Sequence, residues 1–482
     1  ARRAGARSCC FETGAPLTMS RRGSGRVLVC GRVAADEAGH DIVGAGECLA
    51  APHVLRSMCH IRVREVLTSC VADHAVFLSV EGDAYVYGRN REGQCGVSGS
   101  GWLYHARCLD RERDFEPPLA ADDVIATGAT GATHTLLVTA QGAVYAAGSH
   151  EHGECGMHTR ETPFKRVDMP FGVVHAACGR AWSLVVTREG HVYGMGSCES
   201  GVLGDGMYRH TGPSRLVYDC VWQPMRIAPL VNIARVSCGE SHAAALDHEG
   251  CVYVWGTASL SRLGCGTQMD QGSPVRIPQF VRKQQRVRSV VCGRTSTWCV
   301  DQAHRLWAAG TWRAKGDGGP NQSFLIYKPL QELADYDVHC VAAGADTFQC
   351  LASSRVWAWG EQAWHAELGA HTAPPVPAEL DMVHGLRVVG LASGRHTSYW
   401  LVEPDDDGAY ADLVRYPPTV PESSSVCMVC RQSNEDDDAT LLECDRCENP
   451  YHLSCLSPPL DAVPQGEWFC EACVDRKKRR LS

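Results

Sequence analysis

Residues 239–256 read GESHAAALDHEGCVYVWG, a glycine with a histidine three positions later, an apolar run, a turn ending in Gly250, and a second apolar run closed by Trp255 and Gly256. Two short apolar and aromatic segments joined by a glycine-bearing turn are the signature of a β-hairpin. The same pair recurs along the chain. The second segment ends at Gly31, Gly88, Gly148, Gly196, Gly256, Gly310 and Gly360, at intervals of 48 to 60 residues. The first segment precedes each of the last six, as SCVADHAVFL, ATGATHTLLV, ACGRAWSLVV, SCGESHAAAL, VCGRTSTWCV and VAAGADTFQC. A seventh copy, LASGRHTSYW, ends at Trp400 and is followed by no glycine-terminated strand.

That mismatch of phase decides the architecture. The chain has an orphan strand at its start, Arg26 to Gly31, and an orphan half-repeat at its end. Joining them makes a seventh unit and leaves no exposed edge, which is how a propeller ring closes. The reading is a mainly β chain: a seven-bladed β-propeller over residues 26–402, closed by terminal strands sharing one blade, followed by a small cysteine-rich finger at the C-terminus.

Composition agrees with a globular protein. The 482 residues are 44% hydrophobic and 21% charged, and no apolar stretch is long enough to span a membrane. Residues 1–25 are arginine-rich with one acid and read as a disordered basic segment or a transit segment; Met19 is a candidate start site. The net charge of −9 is uneven: residues 404–482 carry 16 acidic and 8 basic side chains, which leaves the propeller region near neutral. A uniformly basic nucleic-acid-binding body is excluded, and the acidic C-terminal part suits a cationic partner. Of 26 cysteines, seven fall between Cys427 and Cys473 and the rest are scattered singly, as reduced, buried small apolar residues are.

The repeats resemble the regulator of chromosome condensation family, whose blades carry a Gly-x-x-His-Thr segment followed by a Val-Tyr-x-Trp-Gly strand. Gly131, His134 and Thr135 match it, as do Gly239 with His242, and Val252, Tyr253, Trp255 and Gly256. Trp182 replaces the histidine in one copy, Val71 replaces the glycine in another, and Cys95 and Cys155 stand at a usual leucine position. His74, His134, His242 and His396 are read as structural histidines recurring at one blade position, and the tryptophans as blade packing. Some family members are guanine-nucleotide exchange factors for the small GTPase Ran. Asp73 and Asp346 are the carboxylates at comparable repeat positions.

Residues 403–425, rich in acid, proline and serine, read as an extended linker. Beyond it, Cys427 and Cys430, Cys444 and Cys447, His452 and Cys455, and Cys470 and Cys473 form four close pairs, enough for two tetrahedral metal sites. Thiolate and imidazole are the ligands Zn(2+) favours, and a two-residue spacer lets both side chains of a pair reach one ion. About 50 residues cannot bury a self-sufficient core, so two structural zinc ions must supply much of the folding energy. With four protein ligands and no open position, such a site performs no catalysis.

The ligand order, with Trp468 two residues before Cys470, resembles a plant homeodomain (PHD) finger over residues 426–474. The resemblance implies that the pairs interleave in a two-zinc cross-brace: Cys427, Cys430, His452 and Cys455 on one zinc, Cys444, Cys447, Cys470 and Cys473 on the other. A RING ubiquitin-ligase finger orders its ligands differently. The resemblance further implies recognition of the histone three tail, which begins Ala-Arg-Thr-Lys. Leu441, Leu442 and Glu443 match the strand edge to which the tail adds. Asp445 matches a position that pairs with the tail arginine, and Glu435, Asp436, Asp437 and Asp438 suit the lysine ammonium. The loop at Pro464, Gln465 and Gly466 matches the one that captures the free amine. Trimethyl-lysine readers need an aromatic cage, and its two usual positions hold Pro450 and Leu441. The implied target is therefore unmodified or low-methylated lysine four.

The chain ends in a basic pentad, Arg476, Lys477, Lys478, Arg479 and Arg480, within residues 475–482, suited to nuclear import or to phosphate contact with nucleosomal DNA. No Walker loop, HExxH helix or nucleophile elbow is present. The expected function is a nuclear, chromatin-associated, non-enzymatic reader and scaffold, its propeller a platform for a protein partner. The alternatives are nucleotide exchange on a Ran-like GTPase and a ubiquitin-ligase-type adaptor.

Overall fold

A computed structural model describes residues 24–33, 48–59, 61–99, 101–157, 163–169, 172–206, 210–211, 217–282, 285–312, 323–403, 410, 413–417, 427–430, 441–444, 450–464 and 468–470. Strands and short 3₁₀ turns make up the secondary structure of these residues. None of their helices is long and apolar enough to cross a membrane.

Seven four-stranded antiparallel sheets follow one another along the chain, two of them extended by a short parallel strand. Blade one runs from Val63–Leu67 to Trp102–Cys108, blade two from Ile125–Thr130 to Phe164–Val167, and blade three from Val173–Cys178 to Cys220–Arg226. Blades four, five and six begin at Ile233–Cys238, Val287–Cys292 and Val338–Ala343. Blade seven is built from both ends of the propeller. Its order is Arg387–Ser393, Thr397–Glu403, Arg26–Arg32 and Cys48–Leu55, with Arg26 opposite Val402 and Gly31 opposite Thr397. The orphan strand and the orphan half-repeat thus pair as the phase of the repeats requires.

The buried apolar side chains fall into seven clusters, and each joins one blade to the next. Alternation along a strand produces this. In Arg26–Arg32, Val27 and Val29 join the cluster shared with blade one, whereas Leu28 and Cys30 join the cluster shared with blade six. Trp255, Trp298, Trp359 and Trp400 are fully buried in these seams. Each removes about 150–250 Å² from water, a gross gain of about 4–6 kcal/mol at about 25 cal/mol per Å². Cys95 and Cys155 are buried at the position where Leu203, Leu263 and Leu368 stand in other blades, so a thiol substitutes for leucine as a small apolar filler.

The innermost strand of every blade skips one residue in its pairing, so that Glu65, Thr127, His175, Arg235, Ser289, Cys340 and Gly390 stand at one level around the axis. A bulge repeated in each blade adds local twist where the inner strands crowd the axis.

Two features depart from the sequence reading. His396 does not share the position of the other three repeat histidines. Gly88, Gly148 and Gly256 pair with His74, His134 and His242, but Gly31 pairs with Thr397. The third residue after Gly394 is Thr397, and a shift of one residue along a strand changes the face on which a side chain lies. The linker, in turn, is not free of the propeller throughout. Arg415–Tyr416 add to blade seven as a fifth strand, parallel to Val54–Leu55.

Candidate functional site

The finger is placed by one small hairpin, Leu441–Glu443 with Pro450–His452, in which Leu441 lies opposite His452 and Glu443 opposite Pro450. The pairing carries His452 to Cys427 and Cys430. The Nδ1 atom of His452 lies 3.2 Å from Cys430 Sγ and 3.8 Å from Cys455 Sγ. Taken with Cys427, all four ligand atoms fall within 4.8 Å of one another. Cys427 Sγ accepts the backbone N–H groups of Val429 and His452, at 3.4 and 3.3 Å. Such donors favour a thiolate, so the donor set fits a soft, tetrahedral ion such as zinc held by Cys427, Cys430, His452 and Cys455. Cys444 accepts the Cys470 N–H at 3.2 Å, and both are buried. Their expected partners Cys447 and Cys473 lie outside the described residues.

Trp468 stacks edge-on against Tyr451, ring centres 5.5 Å apart. It serves the finger's core. Among the described residues the strand Leu441–Glu443 pairs on one side, with Pro450–His452; Leu442 is buried and Glu443 is exposed. Pro450 is buried in the hairpin and its carbonyl accepts the Met428 N–H at 2.9 Å, so the first cage position carries packing rather than an aromatic wall. Pro464 is described, whereas Glu435, Asp436, Asp437, Asp438, Asp445, Gly466 and the pentad Arg476 to Arg480 lie outside the described residues.

On the propeller, the repeat histidines are inter-blade fasteners. His74 Nε2 lies 2.7 Å from Thr135 Oγ1, His134 Nε2 lies 2.8 Å from Ser183 Oγ, and His242 Nε2 lies 2.9 Å from Thr297 Oγ1. Each hydroxyl then donates onward, to the carbonyls of Gln94, Glu154 and Arg262. The hydroxyls accept from the imidazoles, which fixes the Nε2–H tautomer. Burial holds these imidazoles neutral: His74 is pulled down to about 3 and His134 to about 4. They are not free to act as acid or base near neutral pH.

The two carboxylates singled out for an exchange surface are paired within the chain. Asp73 Oδ2 lies 3.5 Å from Arg395 and 3.9 Å from Arg89, and Asp346 is bonded by Arg294. His396 occupies the same repeat position as Asp73 and Asp346, and its Nδ1 faces Glu367 at 3.3 Å.

Along the axis, the inner strands enclose a cavity of about 110 Å³. Glu65, His175 and Arg235 line it, as do Cys70, Cys178, Cys238 and Cys292, four thiols that each precede the repeat glycine position. Burial pushes Cys178 and Cys292 up to about 12, so these thiols stay protonated and are poor nucleophiles. Sequence reasoning missed this ring, although the fixed offset from each glycine would have revealed it.

Comparison with known proteins agrees with both parts. The profile of the RCC1-like domain matches residues 26–400, and that of the PHD-finger matches residues 427–473. The chain belongs to the RCC1-like domain family. Among curated relatives of this RCC1-like chain, Protein RCC2 of Mus musculus is 25% identical over 78% of the chain and 75% of its own length. Protein RCC2 of Homo sapiens is 26% identical over 67% and 63%. E3 ubiquitin-protein ligase HERC2 of Homo sapiens is 26% identical over 72% of this chain but only 7% of its own length. Among solved structures, Prp20p of Saccharomyces cerevisiae superposes with a TM-score of 0.66 at 17% identity, covering 81% of this chain and 94% of that one. Human WBSCR16 does so with a TM-score of 0.64 at 18% identity, covering 79% and 99%. These structural likenesses concern the RCC1-like fold.

Proposed function

We propose that this protein is a nuclear, chromatin-associated reader and scaffold. Its PHD finger, folded around two zinc ions, binds the histone three tail with lysine four unmodified or low in methylation, and its RCC1-like propeller is a platform for a protein partner. The observation that carries the reading is the strand Leu441–Glu443, paired on one side in the hairpin that positions the metal ligands. A peptide adds to such an edge by main-chain hydrogen bonds. Acidic groups at Glu435 to Asp438 and Asp445 supply charge-assisted partners for arginine and lysine. With Pro450 and Leu441 at the cage positions, no cation–π attraction rewards trimethylation. The basic pentad would add contacts to nucleosomal DNA and a nuclear import signal.

The test is titration of the zinc-loaded full chain with histone three tail peptides carrying unmodified lysine four, trimethylated lysine four, or a blocked terminal amine. Binding to the first that weakens with the other two supports the reading. Equal binding to all three, or none, overturns it.

A second reading has one support. The solved Prp20p structure is described by its binding properties to Gsp1p and histones, and a small GTPase partner on this propeller would make the chain an exchange factor. The pairing of Asp73 and Asp346 with arginines weighs against a free acidic exchange surface. Nucleotide release from a Ran-like GTPase, unchanged by stoichiometric full chain, would remove this reading. A ubiquitin-ligase adaptor role has less support, because the HERC2 match covers so little of that protein.

A further inference from the structure

The chain leaving the propeller is strapped across the blade that closes the ring. Tyr416 is 2% exposed and joins the apolar cluster between blades seven and one. Tyr410 is 3% exposed and joins the cluster between blades six and seven. The two tyrosines therefore seat on opposite faces of blade seven. Between them, Arg415 is buried and its guanidinium lies 5.6 Å from the centre of the Tyr410 ring. Main-chain bonds hold the strap to the edge: the Val54 N–H donates to the Val414 carbonyl at 2.9 Å, and Arg56 Nε donates to the Pro417 carbonyl at 2.9 Å. The apolar cluster that takes in Tyr410 also takes in Cys444, Tyr451 and Cys470 of the finger, with Met428, Trp468 and Phe469 packed against it.

We propose that Tyr410 and residues 413–417 form a latch that clasps the closing blade and holds the finger on a short leash, so that propeller and finger meet a partner as one composite surface. The reach is set by arithmetic. A free tether from Glu403 to Cys427 would span about 80 Å when extended, whereas from the latched Pro417 to Cys427 it spans about 35 Å. Shortening the free tether in that ratio raises the local concentration of one site at the other by roughly four-fold. The partner that fits is a protein with a cationic tail whose body rests on the blade-seven side, because the leash carries an acidic finger and reaches no farther. Latching does not depend on which peptide the finger binds, so it stands or falls apart from the histone reading.

Arg415 is the sole lysine or arginine between Glu403 and Cys427, which makes trypsin a probe of the latch. The zinc-loaded full chain and a synthetic peptide of residues 409–421 are digested side by side, and cleavage after Arg415 is followed by mass spectrometry. A latched strand is cut at least about 100-fold more slowly than the peptide, since cleavage requires local opening. In a Tyr416→Ser variant the cut accelerates about ten-fold or more and the Val54 amide exchanges faster, while amides in Thr397–Glu403 keep their protection. Cleavage of the wild-type chain at the rate of the peptide overturns the proposal. If Tyr416→Ser also exposes Thr397–Glu403, the blade has unfolded, and the ratio of wild type to peptide alone decides.

Discussion

The Nε2 atom of His134, in blade two, lies 2.8 Å from the hydroxyl of Ser183, in blade three, and that hydroxyl donates to the carbonyl of Glu154 at 2.9 Å. The imidazole lies against Gly131, where a Cβ would come within 2.1 Å of His134 Cε1. The spacing of glycine and histidine is therefore a packing unit: the glycine leaves room for the ring, and the ring reaches the next blade. Gly239 and His242 repeat it, with a Cβ to Cε1 distance of 2.5 Å. Blade three keeps the glycine but sets Trp182 against it, at 2.3 Å from the Gly179 Cβ position.

Replacing His134→Ala leaves the Ser183 hydroxyl without its donor and opens a cavity between two blades. Together these should cost about 2–4 kcal/mol, read as a lower denaturant midpoint at unchanged slope. Ser183→Ala alone should cost about 1 kcal/mol, and the double variant should fall short of the sum, because both act on one bond.

Acid should weaken the propeller before it affects a typical carboxylate. His74 and His134 are held at about 3 and about 4, chiefly by burial, against an ordinary value of 6.5, and His242 is shifted the same way. Because the unfolded chain binds these protons first, stability is intact above pH 6.5 and falls as pH drops toward 4. His74 and His134 should each contribute a loss of about 2 kcal/mol by pH 5. Denaturation at pH 7.5, 6.5, 5.5 and 5.0 should trace that decline, and His134→Asn should make it shallower by about one proton.

Glycine substitutions should separate crowding from backbone preference. Gly148 has a φ of +110° and a Cβ there would sit 2.3 Å from the Thr133 carbonyl oxygen, whereas Gly99 has a φ of +100° with open space around it. Gly99→Ala should cost about 1–2 kcal/mol, and Gly148→Ala clearly more. Thermal melts of the two variants would rank them.

At the closing seam, Gln349 replaces the histidine device. Its amide donates to Ser393 and Ser398 at 3.0 and 2.7 Å, and its carbonyl accepts from Trp400 Nε1 at 2.8 Å. Gln349→Leu leaves three buried polar groups short of a partner and should destabilise by about 2–4 kcal/mol. Exchange of the Trp400 indole proton should quicken in the same variant.

Chelating the metal should unfold the finger first. Without an ion the finger loses what draws its ligand pairs together and keeps only apolar contacts, such as Tyr451 against Trp468, and a few main-chain bonds. Zinc stoichiometry should fall, tryptophan emission should shift red, and, because Tyr451 and Cys470 share an apolar cluster with blades six and seven, the main unfolding transition should drop as well, by about 0.5–3 kcal/mol. Cys430→Ala should do the same.

Much of this molecule was legible in the chain because its signals are local and repeated. The phase of the Gly-terminated strands, from Gly31 to Gly360, implied both the blade count and the shared blade that pairs Arg26–Arg32 with Thr397–Glu403. The two-residue spacing of the cysteine and histidine pairs marked candidate metal ligands, of which Cys427, Cys430, His452 and Cys455 come together in the structure. His396 was misplaced because its histidine matched the pattern in identity but not in distance from Gly394, and strand register depends on that distance.

Sequence by itself therefore determined the ring, its closure and the ligand order of the finger, all of which follow from periodicity and short-range spacing. Only the tertiary structure decided that Glu65, His175 and Arg235 face one axial cavity, that Asp73 is shared by Arg89 and Arg395, and that Tyr410 and Tyr416 strap the outgoing chain to blade seven. Those relationships join residues from 16 to more than 300 positions apart. No local pattern encodes them, because the pairing exists only once the blades have brought their inner edges to the axis and the closing blade has offered its outer edge to the chain that leaves it.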